Sequence, residues 1–169
     1  MPYKYPPGPF TPGTNGVGTI ASVGNDVWHF RPGELVLLSP HILATDNVAE
    51  PAQVLSGLTG ISADSGPLLE TWRDGTLAEY TLAPATAVPP ADGSISIDAL
   101  GTLGKLAVPF GGLLRGRLTP GEVLVVIGAT GSFGSAAVLL GCALGAERVV
   151  AEAAVTNVGP PRRPSRAKK

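Results

Sequence analysis

Three glycines at a spacing of three residues carry the clearest chemical signal in this chain: Gly128, Gly131 and Gly134. Glycine has no Cβ, so such a run lets the backbone turn sharply and approach a ligand closely. If a helix follows, its first amide N–H groups have no partner within the helix and bind anions, phosphates in particular. The predicted phosphate-binding residues are Gly128, Ala129, Thr130, Gly131, Ser132, Phe133 and Gly134.

The flanking sequence supplies the elements that such a turn needs. Residues 123–127 are apolar without alternation, which is typical of a parallel strand buried on both faces. A helix is predicted to end at Leu144 and to be closed by Gly145, and residues 148–151 predict a second strand. A strand–turn–helix–strand unit of this kind holds a dinucleotide pyrophosphate, with Gly134 expected to let the helix pack on the sheet. No Gly-Lys-Ser/Thr follows the turn, so a P-loop is excluded.

The end of the second predicted strand indicates which dinucleotide is bound. An acid there, about 20 residues after the glycines, would accept a hydrogen bond from the ribose 2′-OH of NAD. The expected position is Ala153, and Glu152, one place earlier, points to the opposite face of a strand. The sequence therefore predicts NADPH in preference to NADH, without the arginine that often accompanies it.

The rest of the chain predicts a β-rich part followed by a helix. Strands are expected over 16–23, 34–38 and 76–82, a long loop over 40–74, and a helix over 94–116 interrupted by Pro109 and Gly111-Gly112. The Pro-rich stretch 84–94 marks a boundary. The predicted division is a β-rich domain (1–93), a linker helix with a dinucleotide-binding unit (94–152), and a basic, disordered tail (153–169).

Composition narrows the class of protein. Five of the 12 basic residues lie in 162–169, which leaves 7 against 13 acids in the body and disfavours a nucleic-acid-binding surface there. A single cysteine, Cys142, excludes an internal disulfide framework and fits a reducing compartment, so the cytoplasm is predicted. Residues 123–146 lack charge and could span a bilayer, but five glycines within them favour strand plus helix, and no membrane location is expected.

Four segments in order resemble one known family, the medium-chain dehydrogenase/reductases. Its zinc-independent quinone-oxidoreductase and alcohol-dehydrogenase-like branch is the most similar. The resemblance implies an α/β fold with a β-rich N-terminal part: a partial GroES-like β-barrel followed by the first β-α-β unit of a Rossmann fold. It also implies hydride transfer between NADPH and a small-molecule carbonyl, alcohol, enone or quinone. The segments are Pro12-Gly13-Thr14-Asn15-Gly16-Val17-Gly18, Arg31-Pro32-Gly33-Glu34-Leu35-Val36, Gly75-Thr76-Leu77-Ala78-Glu79-Tyr80 and residues 128–134.

The same resemblance implies a site without metal. Zinc-dependent relatives carry Gly-His-Glu where this chain has Gly13-Thr14-Asn15, and His29 and His41 are isolated, so no zinc is predicted. Catalysis would then come from holding the nicotinamide against the substrate, and no acid or base is named. Asn15 and Tyr80 either line the cleft or serve as structural hydrogen-bonding residues.

Relatives extend beyond this chain at both ends, so an incomplete or inactive fragment is expected, with association or homo-oligomerisation through exposed sheet edges. Two further classes stay open: a non-catalytic dinucleotide-binding sensor or scaffold, and an interaction protein whose basic tail contacts nucleic acid or an import receptor.

Overall fold

The first two predicted strands form an antiparallel pair. In the computed structural model, which describes residues 4–45 and 48–153, β1 (Gly16–Thr19) pairs with β2 (Leu35–Leu38). The Ile20 amide donates to the Glu34 carbonyl oxygen at 3.0 Å, which extends the pairing toward the turn. Gly33 closes that turn with a φ of +93°, a conformation that favours glycine. The prediction of these strands is confirmed, although β1 ends four residues before residue 23.

Residues 40–74 were predicted to be a loop, and this is wrong. They contain β3 (His41–Leu43), β4 (Gln53–Leu55) and β5 (Thr59–Gly60), an antiparallel sheet in the order β3-β4-β5, followed by helix α1 (Gly66–Thr71). Strands of two or three residues are too short to show an alternating pattern in the sequence. They form because distant segments pair with them: the Gly60 amide donates to the Lys4 carbonyl oxygen at 2.7 Å.

A small core joins this sheet to α1 and to a short 3₁₀-helix, Ala85–Ala87. Leu69 of α1 is 2% exposed and Val54 of β4 is fully buried. Burial of side chains this size stabilises the fold by roughly 1.5–3 kcal/mol each. The cluster consists of Ile42, Val54, Leu69 and Ala87, with Leu68 and Trp72 packed against it.

The strand predicted over residues 76–82 does not form, so that prediction is wrong. The amides of Thr76 and Leu77 donate to the carbonyl oxygens of Gly13 (3.1 Å) and Pro12 (3.0 Å), and the chain then bends away. Beyond this point no described strand lies within hydrogen-bonding range, and an alternating pattern alone does not form a strand without a partner. Tyr80 and Leu82 are consequently 77% and 69% exposed.

Helix α2 (Ile97–Arg115) lies within the predicted span 94–116 and is continuous, so the predicted interruption is wrong: Pro109 lies inside the helix and does not end it. A proline removes one backbone donor, and the remaining bonds of a 19-residue helix can offset that loss. Among the described residues, α2 is the one helix long and apolar enough to cross a membrane by length and composition, which is weak evidence for a membrane location.

The predicted strand–turn–helix–strand unit is present. Strand β6 (Val123–Ile127) and strand β7 (Arg148–Glu152) are parallel, with Val123 opposite Arg148, and α3 (Ser132–Ala143) connects them. The charge-free stretch 123–146 is thus strand plus helix, as expected. Burial of β6 on both faces was predicted and is not observed: Val125 is 59% exposed because α3 covers only the other face.

The chain divides into two compact units at Gly104, within α2. The predicted boundary at residue 93 precedes that helix, and the assignment of functional domains stays a prediction. The fold class is confirmed as mixed α/β with a β-rich N-terminal part, and the sheets formed by the described residues do not close into a barrel. Residues 154–169, which include nearly all of the predicted tail, lie outside the described residues.

Candidate functional site

The predicted phosphate-binding residues form one turn, here called the glycine turn (residues 128–134), between β6 and α3. Gly128 has a φ of +77°, so it leaves the strand in a conformation that side-chain-bearing residues rarely adopt. The amides of Gly128 and Ala129 both donate to the Glu152 carbonyl oxygen, at 3.0 and 2.9 Å. The Gly131 amide donates back to the Gly128 carbonyl oxygen at 3.0 Å. Backbone bonds alone therefore fix the turn to the end of β7.

The first turn of α3 offers free hydrogen-bond donors. Gly131 caps the helix in an extended conformation without a side-chain cap, and the Ser135 amide is the first to bond back, to the Gly131 carbonyl oxygen at 2.9 Å. Within residues 4–45 and 48–153, no acceptor lies in range of the Ser132, Phe133 and Gly134 amides. No carboxylate occupies this helical turn. Unpaired donors at the positive end of a helix dipole attract anions.

Each glycine of the turn is required for a different reason. A Cβ on Gly134 would lie 2.7 Å from the Gly128 carbonyl carbon and 2.9 Å from the Ala129 Cα, closer than side-chain carbons approach backbone. A Cβ on Gly131 meets only the Gly128 carbonyl oxygen, at 3.3 Å, and otherwise faces open space. Gly134 thus allows the turn to fold back on itself, whereas Gly131 leaves room for a ligand.

Helix-to-sheet packing, which was expected of Gly134, is performed by Gly141. A Cβ at Gly141 would lie 2.5 Å from Leu124 Cδ2 and 3.3 Å from Val149 Cγ2, so α3 sits directly on β6 and β7 there. Gly141 follows Gly134 by seven residues, two helical turns, and this spacing could have identified it. The Glu152 carbonyl was also missed, because a backbone acceptor has no signature in the sequence.

The position predicted to select between the two dinucleotides lies directly after β7. Ala153 directly follows β7 and carries no polar side chain, and Glu152 is exposed at the last position of that strand. Glu152 pairs with Ile127, so strand alternation places its side chain on the face away from α3. Glu122, just before β6, has a pKa lowered by the Thr119 amide, which donates to its carboxylate at 2.7 Å. That bond closes the turn into β6 and is structural.

Two candidates in the N-terminal unit have different environments. The carbonyl oxygen of Asn15 accepts a hydrogen bond from Thr76 Oγ1 at 2.9 Å, and a Cβ on Gly104 would meet the Asn15 side chain. This bond involves the Asn15 backbone, so both interpretations of its side chain, cleft lining and structural hydrogen bonding, stay predictions. Tyr80 is 77% exposed and has no hydrogen-bond partner within the described residues.

A carboxylate in the same unit fixes the loop that precedes β1. Asp74 Oδ1 accepts from the Thr11 amide at 2.7 Å, and this bond, followed by the Arg73 guanidinium, holds the pKa of Asp74 below its usual value. The Arg73–Asp74 ion pair spans 3.0 Å with both side chains more than 40% exposed, so it contributes little by itself. Asp74 is a structural anchor.

The described residues do not assemble a protein-only metal site. Across residues 4–45 and 48–153, no three His, Cys, Asp or Glu side chains come together closely enough to hold an ion. His41 Nε2 lies 2.9 Å from Gln53 Oε1, and Cys142 is exposed on α3. These residues do not fit a zinc centre.

Residues 1–93, more than half of the chain, match the alcohol dehydrogenase GroES-like domain. A zinc-type alcohol dehydrogenase-like protein of Schizosaccharomyces pombe is 30% identical over 146 residues, which cover 84% of this chain and 39% of that protein. Galactitol-1-phosphate dehydrogenase of Escherichia coli superposes with a TM-score of 0.69 at 23% identity, covering 85% of this chain and 40% of the enzyme.

A cobalt- and zinc-bound thermostable alcohol dehydrogenase of Pyrobaculum aerophilum superposes with a TM-score of 0.68 at 23% identity, over 88% of this chain and 44% of that structure. The zinc-type relative and this zinc-bound neighbour contradict the prediction that the protein binds no zinc. That prediction counted cysteines and histidines over a sequence spanning about two fifths of its relatives. Zinc ligands converge from distant parts of a chain, so such a count does not exclude a metal. The match over residues 1–93 and the shared fold show that the chain belongs to the alcohol dehydrogenase-like medium-chain dehydrogenase/reductase family, with a GroES-like N-terminal domain.

Proposed function

We propose that this chain binds a nicotinamide dinucleotide at the glycine turn, as part of an oxidoreductase. The observation that carries the proposal is the set of amides at Ser132, Phe133 and Gly134, which have no acceptor among the described residues. A pyrophosphate needs such donors, and in the first turn of α3 it meets no carboxylate. Gly131 leaves the space that a phosphate oxygen needs to approach the backbone.

Within this proposal, the bound dinucleotide is NADPH rather than NADH. At Ala153 no side chain can accept a hydrogen bond from the ribose 2′-OH, and the Glu152 side chain lies on the face of β7 away from α3. An NAD-selective site relies on an acid at this place and repels a 2′-phosphate with it. This chain has no acid at that position, so both effects are absent and the affinity for NADPH rises relative to that for NADH.

When bound, the nicotinamide supplies or accepts the hydride, and the proposed substrates are small carbonyls, alcohols, enones or quinones. The residues of this chain hold the cofactor: the α3 amides fix the pyrophosphate, and Gly128 and Gly134 fix the turn. Positioning of two reacting groups can supply roughly 7–11 kcal/mol of a reaction barrier. The chain spans 39% of its Schizosaccharomyces pombe relative, so activity of the whole protein is itself part of the proposal. A reducing compartment, the cytoplasm, is proposed from the single cysteine.

Titration of the full chain with NADPH and NADH, followed by nucleotide fluorescence, tests the proposal. We expect NADPH to bind at least tenfold more tightly, about 1.4 kcal/mol. Gly131→Val fills the ligand space with a side chain that the extended backbone tolerates, so NADPH affinity should fall at least tenfold. Gly112→Ala is the matched control, since a Cβ there meets nothing within 4 Å, and it should leave affinity unchanged.

Turnover is measured separately with enones, quinones and alcohols as substrates. Hydride transfer together with binding supports the oxidoreductase proposal, whereas binding without turnover assigns these 169 residues a dinucleotide-binding role only. Equal weakening of affinity by Gly131→Val and Gly112→Ala would show that the nucleotide does not sit at the glycine turn. Tighter binding of NADH would overturn the NADPH preference.

A further inference from the structure

The two-stranded sheet of the C-terminal unit is covered by α3 on one face. A Cβ on Gly141 of α3 would lie 2.5 Å from Leu124 Cδ2 and 3.3 Å from Val149 Cγ2, so α3 packs on the face that carries these two side chains. Alternate residues of a strand point to opposite faces of the sheet. The register of β6 and β7 therefore assigns six side chains to the other face, here called the open face: Val123, Val125, Ile127, Arg148, Val150 and Glu152.

The centre of the open face is apolar and in contact with water. Val125 and Val150 lie side by side and are 59% and 43% exposed, and Ile127 is 79% exposed. By contrast, Val126, which points toward α3, is 8% exposed. A contiguous apolar patch on a protein surface is typical of an interaction site. The open face is thus a surface that gains stability when it is covered.

Opposite charges lie at the two ends of the open face. Arg148 is the first residue of β7 and Glu152 is the last, and both are exposed. Four residues along a strand separate the two positions by roughly 13 Å. Among the described residues, neither side chain forms an ion pair. The open face is therefore positive at one end, apolar in the middle and negative at the other end.

A surface with this pattern is complementary to itself. A two-fold axis that lies across the strands would place β7 antiparallel to β7 of a second copy, so that Arg148 of each copy faces Glu152 of the other. Stacked sheets lie about 10 Å apart, a gap that these two long side chains span together. A two-fold axis along the strands would instead place β7 over β6, and each charge would face an apolar side chain, Val123 or Ile127. Burial of a charge against apolar atoms is costly, so the antiparallel arrangement is favoured.

We propose that the open face pairs with the open face of a second copy of this chain. The apolar side chains meet at the centre, and two Arg148–Glu152 ion pairs form at the ends. Two strands of five residues cover roughly 160 Å² in projection. The contact is small, so the dimer belongs to the weak class of interfaces, which bury less than about 1,200 Å². The pairing does not depend on dinucleotide binding at the glycine turn.

Sedimentation equilibrium of the full chain tests whether the dimer forms. Concentrations from about 5 μM to about 1 mM span the range in which weak complexes assemble. We expect the average mass to rise from that of the monomer toward that of the dimer and to stop there, because a two-fold contact uses the same face of both copies. A mass that stays at the monomer over this range, or that grows beyond the dimer, would overturn the proposal.

Charge reversal tests the antiparallel arrangement. Arg148→Glu makes both ends of the open face negative and Glu152→Arg makes both ends positive, so each variant alone should dimerise at least tenfold more weakly. An equimolar mixture of the two variants should regain the original affinity within threefold, because opposite charges then face each other at both ends. Regained association also shows that both variants are folded. A mixture that associates no better than the separate variants would contradict the proposed pairing.

Substitution at the centre tests the apolar contact. Val125→Lys would place a positive charge in the apolar centre of both copies and should weaken dimerisation at least tenfold. Leu139→Lys is the matched control: Leu139 is 65% exposed on α3, so the same charge is added outside the open face, and the affinity should change less than threefold. Equal weakening by both changes would assign the contact to another surface. Loss of association when residues 154–169 are deleted would assign it to the chain's own C-terminal segment, and either result would overturn the proposal.

Discussion

Substitution of Gly134 by alanine tests how the glycine turn is built. The new Cβ would lie 2.7 Å from the Gly128 carbonyl carbon and 2.9 Å from the Ala129 Cα. The turn cannot move away freely, because the amides of Gly128 and Ala129 are both bonded to the Glu152 carbonyl. The helix cannot retreat either, since Gly141 packs it against Leu124.

Overpacking of this kind costs typically about 1–3 kcal/mol. We therefore expect opening of α3 to become about 5- to 150-fold more frequent, at about 1.4 kcal/mol per tenfold. Hydrogen exchange with mass spectrometry on peptides from α3 (Ser132–Ala143) measures this directly. Tryptophan fluorescence is unsuited to this measurement, because Trp28 and Trp72 both lie in the N-terminal unit.

Gly131→Ala is the matched control within the same turn. Its Cβ would meet one carbonyl oxygen at 3.3 Å, a contact that a small shift relieves, so exchange in α3 should change less than threefold. If Gly134→Ala and Gly131→Ala accelerate exchange equally, or if neither does, then the close approach at Gly134 is not what shapes the turn and the reasoning is wrong.

Three further predictions concern the N-terminal unit. Gly75→Ala would place a Cβ 2.8 Å from the Gly13 carbonyl carbon and should lower the free energy of unfolding by about 1–3 kcal/mol. Urea unfolding monitored by Trp72 fluorescence measures this change. Gly66→Ala is the control, since its Cβ would lie in open space, and it should not lower the free energy of unfolding. Leu69→Ala, at a position 2% exposed, should cost about 2–5 kcal/mol in the same assay, against less than about 0.5 kcal/mol for Ile61→Ala at 41% exposure. The Thr11 amide, followed by Arg73, lowers the pKa of Asp74 in the folded chain below its value of about 3.9 in the unfolded chain. The contribution of Asp74 to the free energy of unfolding is therefore complete above about pH 3.9 and is lost as the pH falls through the folded pKa. Acid titration of Asp74→Asn should show a shallower loss of stability below about pH 4, and an unchanged slope would contradict the role given to the Thr11–Asp74 bond.

The C-terminal unit was the most predictable part of the chain because its signals are local. Local residue types predict the conformation of β6, of the glycine turn and of the helix end at Gly145. A parallel pair of strands joined by one helix can then be arranged in few ways. The same locality explains why the conformation of the glycine turn was predictable: the turn is a contiguous segment. The Glu152 carbonyl became evident only when the helix and both strands were placed together, whereas the packing role of Gly141 had a signal in its spacing from Gly134.

The N-terminal unit shows the opposite case. Strands β3, β4 and β5 are two or three residues long. They form because they pair with one another and because the distant Lys4 backbone bonds to Gly60, which no local pattern records. Residues 76–82 alternate as a strand should, yet beyond Leu77 they find no partner among the described residues. Pairing is a property of two segments, so an alternating pattern in one of them does not determine it.

The residues themselves thus determined where the chain can turn and which segments prefer helix or strand, and they predict the glycine turn at residues 128–134 as a phosphate-binding segment. Tertiary structure decided which strands paired and which face of β6 stayed exposed. The physical reason is the distance along the chain over which each effect acts. The conformational freedom of glycine and the unpaired groups of helix termini depend on a few neighbouring residues. Burial and strand pairing depend on segments that are distant in sequence and come together only in the folded chain.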